Sequence, residues 1–162
     1  MKAGRGGPVA GTLSAQPKRA VLVVDDDETT RRLLACMLTM SGFSCRLASD
    51  GDEGVRSALA LQPDLIIMDV VMPQLGGVDA VARLRSDPRT HDTPVLFLTG
   101  LSEPGFLAEH LSTAADDYLV KPMGHADLIK RVRLALRRSE SLHELDALTA
   151  GPKSPPACRA VG

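Results

Sequence analysis

Leu65-Ile66-Ile67-Met68-Asp69 is an unbroken apolar run that ends in a carboxylate, with Pro73 soon after it. Such a run reads as a strand buried on both faces, as in a parallel sheet, and the proline stops further pairing. Three other segments share the plan. Val21-Leu22-Val23-Val24 runs into Asp25-Asp26-Asp27, Val95-Leu96-Phe97-Leu98 into Thr99, and Tyr118-Leu119-Val120 into Lys121. In an open α/β sheet the crevice outside the carboxyl ends of the strands is where ligands bind. Acids, a hydroxyl and an ammonium therefore converge on one place.

Between these strands the sequence carries helical patterns. A helix is expected over about Glu28–Met40, with Leu34, Met37, Leu38 and Ser41 on one face and Gly42 closing it. A second is expected over Glu53–Leu61 with Val55, Ala58, Leu59 and Leu61 inward, and a third over Val78–Arg85 after Gly76-Gly77. Ser102 and Pro104 signal the start of a helix reaching about Ser112. The last helix begins near His125 and extends toward Leu142, Leu145 and Leu148, with Leu128, Ile129, Val132, Ala135 and Leu136 inward. Phe43 to Leu47 alternates apolar with polar, which marks a half-exposed strand at a sheet edge. Strands alternating with helices give an α/β fold: a doubly wound, five-stranded parallel sheet with helices on both faces.

The 162 residues suit one domain. With one Tyr, three Phe and no Trp the core must be aliphatic, and a formal charge of −1 provides no global field for nucleic acid or an anionic membrane. Three widely spaced cysteines (Cys36, Cys45, Cys158) predict reduced thiols in a cytoplasmic protein. No apolar run approaches the roughly 18 residues of a membrane span. Residues 1–18 read as a disordered leader, 19–138 as the folded domain, and 139–162 as a helical extension with a Pro-rich tail.

Asp25, Asp26 and Asp27 precede a helix, where one acid suffices to cap it. Three adjacent acids repel one another unless a cation joins them, and hard oxygen donors suit Mg²⁺. Asp69, with part of its charge cancelled, can attack phosphorus as a carboxylate nucleophile, while Lys121 and Thr99 hold phosphoryl oxygens.

The segments Val23-Val24-Asp25-Asp26-Asp27, Met68-Asp69-Val70-Val71-Met72-Pro73, Phe97-Leu98-Thr99-Gly100 and Asp116-Asp117-Tyr118-Leu119-Val120-Lys121-Pro122 stand in one order. With them the chain resembles a two-component response-regulator receiver domain of the stand-alone, chemotaxis-regulator type. The resemblance implies the flavodoxin-like strand order 2-1-3-4-5, which is carried over from that fold and does not follow from the spacing. It implies Asp69 as phosphoacceptor, Asp25 and Asp26 with the Val71 carbonyl as Mg²⁺ ligands beside Asp69, Lys121 as the phosphate-binding ammonium, and Thr99 and Tyr118 as switch residues. It implies a signalling switch that takes its phosphoryl group from a sensor histidine kinase or phosphotransfer protein. Such a switch is not a conventional enzyme, though it assists its own phosphorylation and dephosphorylation. With 24 residues after Arg138, output is expected through contact with a downstream protein, or through a domain outside this sequence. The expectation includes no DNA-binding domain in the chain, no membrane association, and at most weak dimerisation. Leu75-Gly76-Gly77 and Ala114 depart from the family pattern in two loops. A Mg²⁺-dependent phosphohydrolase of the haloacid-dehalogenase type is disfavoured, because Val71 stands where its second acid belongs.

Overall fold

The computed structural model describes residues 18–100, 113 and 116–149. Its strands are β1 (Ala20–Val24), β2 (Ser44–Ala48), β3 (Leu65–Asp69), β4 (Val95–Thr99) and β5 (Asp117–Val120). Its helices are α1 (Glu28–Met40), α2 (Gly51–Leu61), α3 (Gly77–Arg85) and α4 (His125–Thr149). All strand pairs are parallel, and the order is β2-β1-β3-β4-β5. β3 and β4 are buried along their whole length, while β2 lies at the edge with three exposed residues of five. The continuous runs of β1, β3 and β4 lie at the centre and the alternating run of β2 at one edge. β5, expected to be buried like the other continuous runs, forms the second edge and is only half-buried, with Val120 exposed.

Period-two alternation splits the core into two layers. Leu22, Val24, Ile66, Met68, Val95 and Phe97 pack with Ala58, Ala80, Val81 and Leu84 on one face. Val21, Val23, Leu65, Ile67, Leu96 and Leu98 pack with Leu34, Leu38, Leu128 and Val132 on the other. The aliphatic core expected from the scarcity of aromatics is the one observed.

Helix ends follow side-chain chemistry. The Asp27 carboxylate accepts from Thr30 N at 2.8 Å and caps α1, and Asp50 caps α2 through Glu53 N at 2.8 Å. With Asp50 as cap, α2 starts at Gly51, two residues before its expected start, and its buried positions are Gly51, Gly54 and Ala58. Leu61, expected inward, is exposed although it shares the face of Gly54 and Ala58: it is the last residue of α2, and the chain leaves the helix there through Gln62 in the left-handed conformation. α3 likewise starts one residue early. A Cβ on Gly77 would lie 2.0 Å from the Asp69 carbonyl oxygen, so only glycine lets the helix start this close to the end of β3.

α4 continues unbroken past the expected domain edge at 138, and its last core-facing residue is Ser139. Among the described residues no helix is long and apolar enough to cross a membrane. The leader expectation (but for Lys18), the helix expected over 102–112, Leu101, Ala114 and the Pro-rich tail lie outside the described residues.

Candidate functional site

The carboxyl ends of β1, β3 and β5 deliver Asp25, Asp69 and Lys121 to one spot. Lys121 Nζ donates to Asp25 Oδ2 at 2.7 Å and to Asp69 Oδ1 at 3.1 Å, bridging residues 96 and 52 positions away in sequence. Carboxylate oxygens of Asp25, Asp26 and Asp69 all lie within 4.8 Å of one another. Asp25 and Asp69 are buried, and Asp26 faces solvent. One ammonium therefore stands against three acids.

The framework around them is polar backbone. Asp25 Oδ1 accepts from Asp27 N at 2.9 Å, and the Asp25 carbonyl accepts from Arg31 Nη1 at 2.6 Å. The Lys121 amide donates to the Thr99 carbonyl at 2.7 Å, which ties the end of β5 to the end of β4. The Val70 amide donates to Leu98 O, and its carbonyl accepts from Gly77 N, both at 3.0 Å. Those bonds pin the chain on either side of Asp69. Thr99 is buried at the end of β4. Tyr118 is half-buried, packs on the Phe97 layer and is in register with Phe97. Val71 is largely exposed at the rim.

Charge at the site is unbalanced. Burial pushes the Asp69 carboxyl above its ordinary value. The hydrogen bond and charge of Lys121 pull it down, and the negative charges of Asp25 and Asp26 push it up again. Burial works against the Lys121 ammonium, but its hydrogen bonds to Asp25 and Asp69 prevail and hold it above the ordinary lysine value. An isolated ion pair would lower its acid and raise its base. Here both move up, because a single cation cannot offset the burial of Asp69 and two acidic neighbours. A cluster of hard oxygen donors with surplus negative charge is a donor set suited to a divalent cation. Asp27 is excluded from it: its carboxylate is held low by the Thr30 hydroxyl and amide.

The matching family model is the response regulator receiver domain, over residues 21–133. The chain belongs to that family. Members are phosphorylated on an aspartate in two-component signalling. The receiver is 32% identical to the Vibrio cholerae chemotaxis protein CheY4, with a TM-score of 0.68 over 72% of this chain and 98% of that one. It is 31% identical to the Francisella response regulator 1452 receiver domain, with a TM-score of 0.68 over 75% and 99% of the two chains. Among curated proteins it is 38% identical over 136 residues to the DNA-binding dual master transcriptional regulator RpaA of Synechocystis, covering 82% of this chain and 56% of the relative. It is 42% identical over 134 residues to the transcriptional regulatory protein PrrA of Mycobacterium tuberculosis, covering 82% and 57%.

The receiver thus spans about half the length of the curated relatives it matches, and those relatives are named as DNA-binding or transcriptional regulators. That corrects the expected partner set, a downstream protein alone with no DNA-binding output and at most weak dimerisation. The expectation rested on the shortness of the stretch after Arg138, and the curated relatives are longer proteins named as DNA-binding or transcriptional regulators. Asp117 and Arg131 bond to each other within this chain at 2.7 Å.

Sequence reasoning missed a second buried ion pair. Arg85 Nη2 donates to both Asp116 oxygens, at 2.8 and 3.0 Å, and Nη1 reaches the carbonyls of Thr90, His91 and Thr93. Asp116 also accepts from Val95 N and Thr113 N. No local pattern links residues 31 apart. The only signal was an acid standing just before the apolar run of β5.

Proposed function

We propose that the receiver is a phosphorylation-dependent switch whose phosphoacceptor is Asp69. The observation that carries this is the Lys121 ammonium bridging Asp25 and Asp69 beside Asp26. Asp25, Asp26 and Asp69, with the Val71 carbonyl, would hold Mg²⁺, which when bound neutralises charge on a transferring phosphoryl group. The Asp69 carboxylate attacks the phosphorus of a kinase phosphohistidine. The O–P bond forms as the P–N bond breaks, and the imidazole leaves. Lys121 supplies a fixed positive charge to the phosphoryl oxygens, and the Thr99 hydroxyl hydrogen-bonds one of them. Because these groups serve the chain's own aspartate, the receiver assists its own phosphorylation and later hydrolysis without turning over a substrate.

Thr99 and Tyr118 couple that event to the surface beside β5. Their carbonyl-to-amide and register links along β4 and β5 support the reading. The phosphorylated state governs an output that, by analogy with the named relatives, is transcriptional control. The receiver unit is residues 19–138, followed by the helical extension, whose first residue, Ser139, is the last of α4 to face the core. Free Cys36 and Cys45 suit the reducing cytoplasm. Intact-mass measurement after treatment with acetyl phosphate and Mg²⁺ tests the assignment. One phosphoryl group is expected on the parent and none on Asp69→Asn. Equal labelling of both proteins would overturn it.

A further inference from the structure

The outer half of α4 is an exposed helix whose leucines find no apolar partner among the described residues. Leu142, Leu145 and Leu148 are exposed, Leu148 by 80%. Among the described residues this segment is held to the rest of the domain by the exposed Arg19–Glu140 ion pair, and a helical segment of about ten residues held so lightly is marginal in water. Arg131, Leu134, Arg138, Ser141, Leu145 and Leu148 recur at alternating steps of three and four, so they form one row along the helix beside the core-facing stripe.

Charge along α4 is segregated. After Asp127 in the first turn, Lys130, Arg131, Arg133, Arg137 and Arg138 crowd its first part, and Glu140, Glu144 and Asp146 its last. A parallel partner in register would set Arg138 against Arg138 in the apolar seam. An antiparallel copy sets basic against acidic.

We propose that α4 pairs with α4 of a second copy of this chain, antiparallel, about a two-fold axis near Ser139 and Glu140. In that register Leu145 packs on Leu134 of the second copy, Leu148 on the aliphatic stem of its Arg131, and Ser141 beside its Arg138. Arg137 and Glu144 share one flank of the row, so each meets its opposite charge across the axis, twice over by symmetry. The two receiver bodies then lie at opposite ends of the helix pair and do not collide.

The test is sedimentation of the full 162-residue chain over a range of concentrations, with helicity checked by circular dichroism. The parent should show a concentration-dependent dimer, and Leu145→Glu with Leu148→Glu should leave a monomer of unchanged fold. Arg137→Glu should weaken the dimer about tenfold, and adding Glu144→Arg should restore it. With Cys36, Cys45 and Cys158 replaced by serine, Ser141→Cys should cross-link to itself. Leu148→Cys should not, because its partner would lie about 25 Å away along the axis. A parent that stays monomeric, a dimer indifferent to the leucine substitutions, a charge swap that fails to restore it, or cross-linking through Leu148→Cys would each overturn the proposal.

Discussion

Two half-buried cations among the described residues meet buried acids in opposite ways. Arg85 faces Asp116 as a matched pair, 14% and 0% exposed, with both terminal guanidinium nitrogens spent on Asp116 and three carbonyls. Asp116 takes two further amides and so has its lone pairs filled. Lys121 faces Asp25 and Asp69 with Asp26 beside them, and three acids share one ammonium. The first arrangement ties the end of α3, the start of β4 and the approach to β5 into one frame. The second retains surplus negative charge where a cation and a phosphoryl group can use it. A buried charge cluster is structural when it balances and a candidate site when it does not.

Substitution should break the two clusters with opposite sign. Asp116→Ala leaves the Arg85 guanidinium buried without its acid, and we expect a loss of about 3–5 kcal/mol in urea unfolding. An unfolding midpoint within error of the parent would mean that water replaces the pair without cost. Gly77→Ala tests whether the acidic site shares this rigidity. Its Cβ would meet the Asp69 carbonyl oxygen at 2.0 Å, so β3 and α3 must separate, at about 1–3 kcal/mol. Phosphorylation by acetyl phosphate should slow with it.

Asp69→Asn should instead raise the melting temperature by a few degrees at neutral pH, since it removes one uncompensated charge. The carboxyl of Asp69 is raised above its unfolded value. Its contribution to stability is present below the unfolded value and lost as pH rises through the folded one. The advantage of the asparagine variant should therefore be largest near neutrality and shrink on acidification toward about pH 4. An advantage independent of pH would assign it to something other than charge.

The smallest expected effect separates neighbours within the triplet. Asp27→Ala removes a helix cap and should cost about 1 kcal/mol while leaving Mg²⁺ affinity nearly intact. Asp26→Ala should do the reverse. Calorimetric titration with Mg²⁺ decides between them, and comparable loss in both would place the metal elsewhere.

The sequence by itself determined the strands and most of the helices. The longer apolar runs of β1, β3 and β4 belong at the buried centre and the alternating run at Ser44–Ala48 at an edge, whereas the short run of β5 did not reveal its place at the other edge. It also determined that acids, Thr99 and Lys121 stand at strand ends, because composition changes abruptly there. Asp27 was legible as a cap from its place immediately before the helix. The start of α2 was less so, since Gly51 could be read as either turn or first helical residue until Asp50 was seen accepting from Glu53.

Tertiary structure alone decided the rest. The strand order β2-β1-β3-β4-β5 depends on how the layers wrap, which no local period encodes. That Lys121 spans Asp25 and Asp69, and that Asp116 answers to Arg85, depends on side chains far apart in sequence meeting within hydrogen-bond reach. Adjacent acids look alike in a sequence. Burial, and the number of donors each one finds, is what makes Asp25 part of a charged cluster, Asp27 a cap and Asp116 a brace.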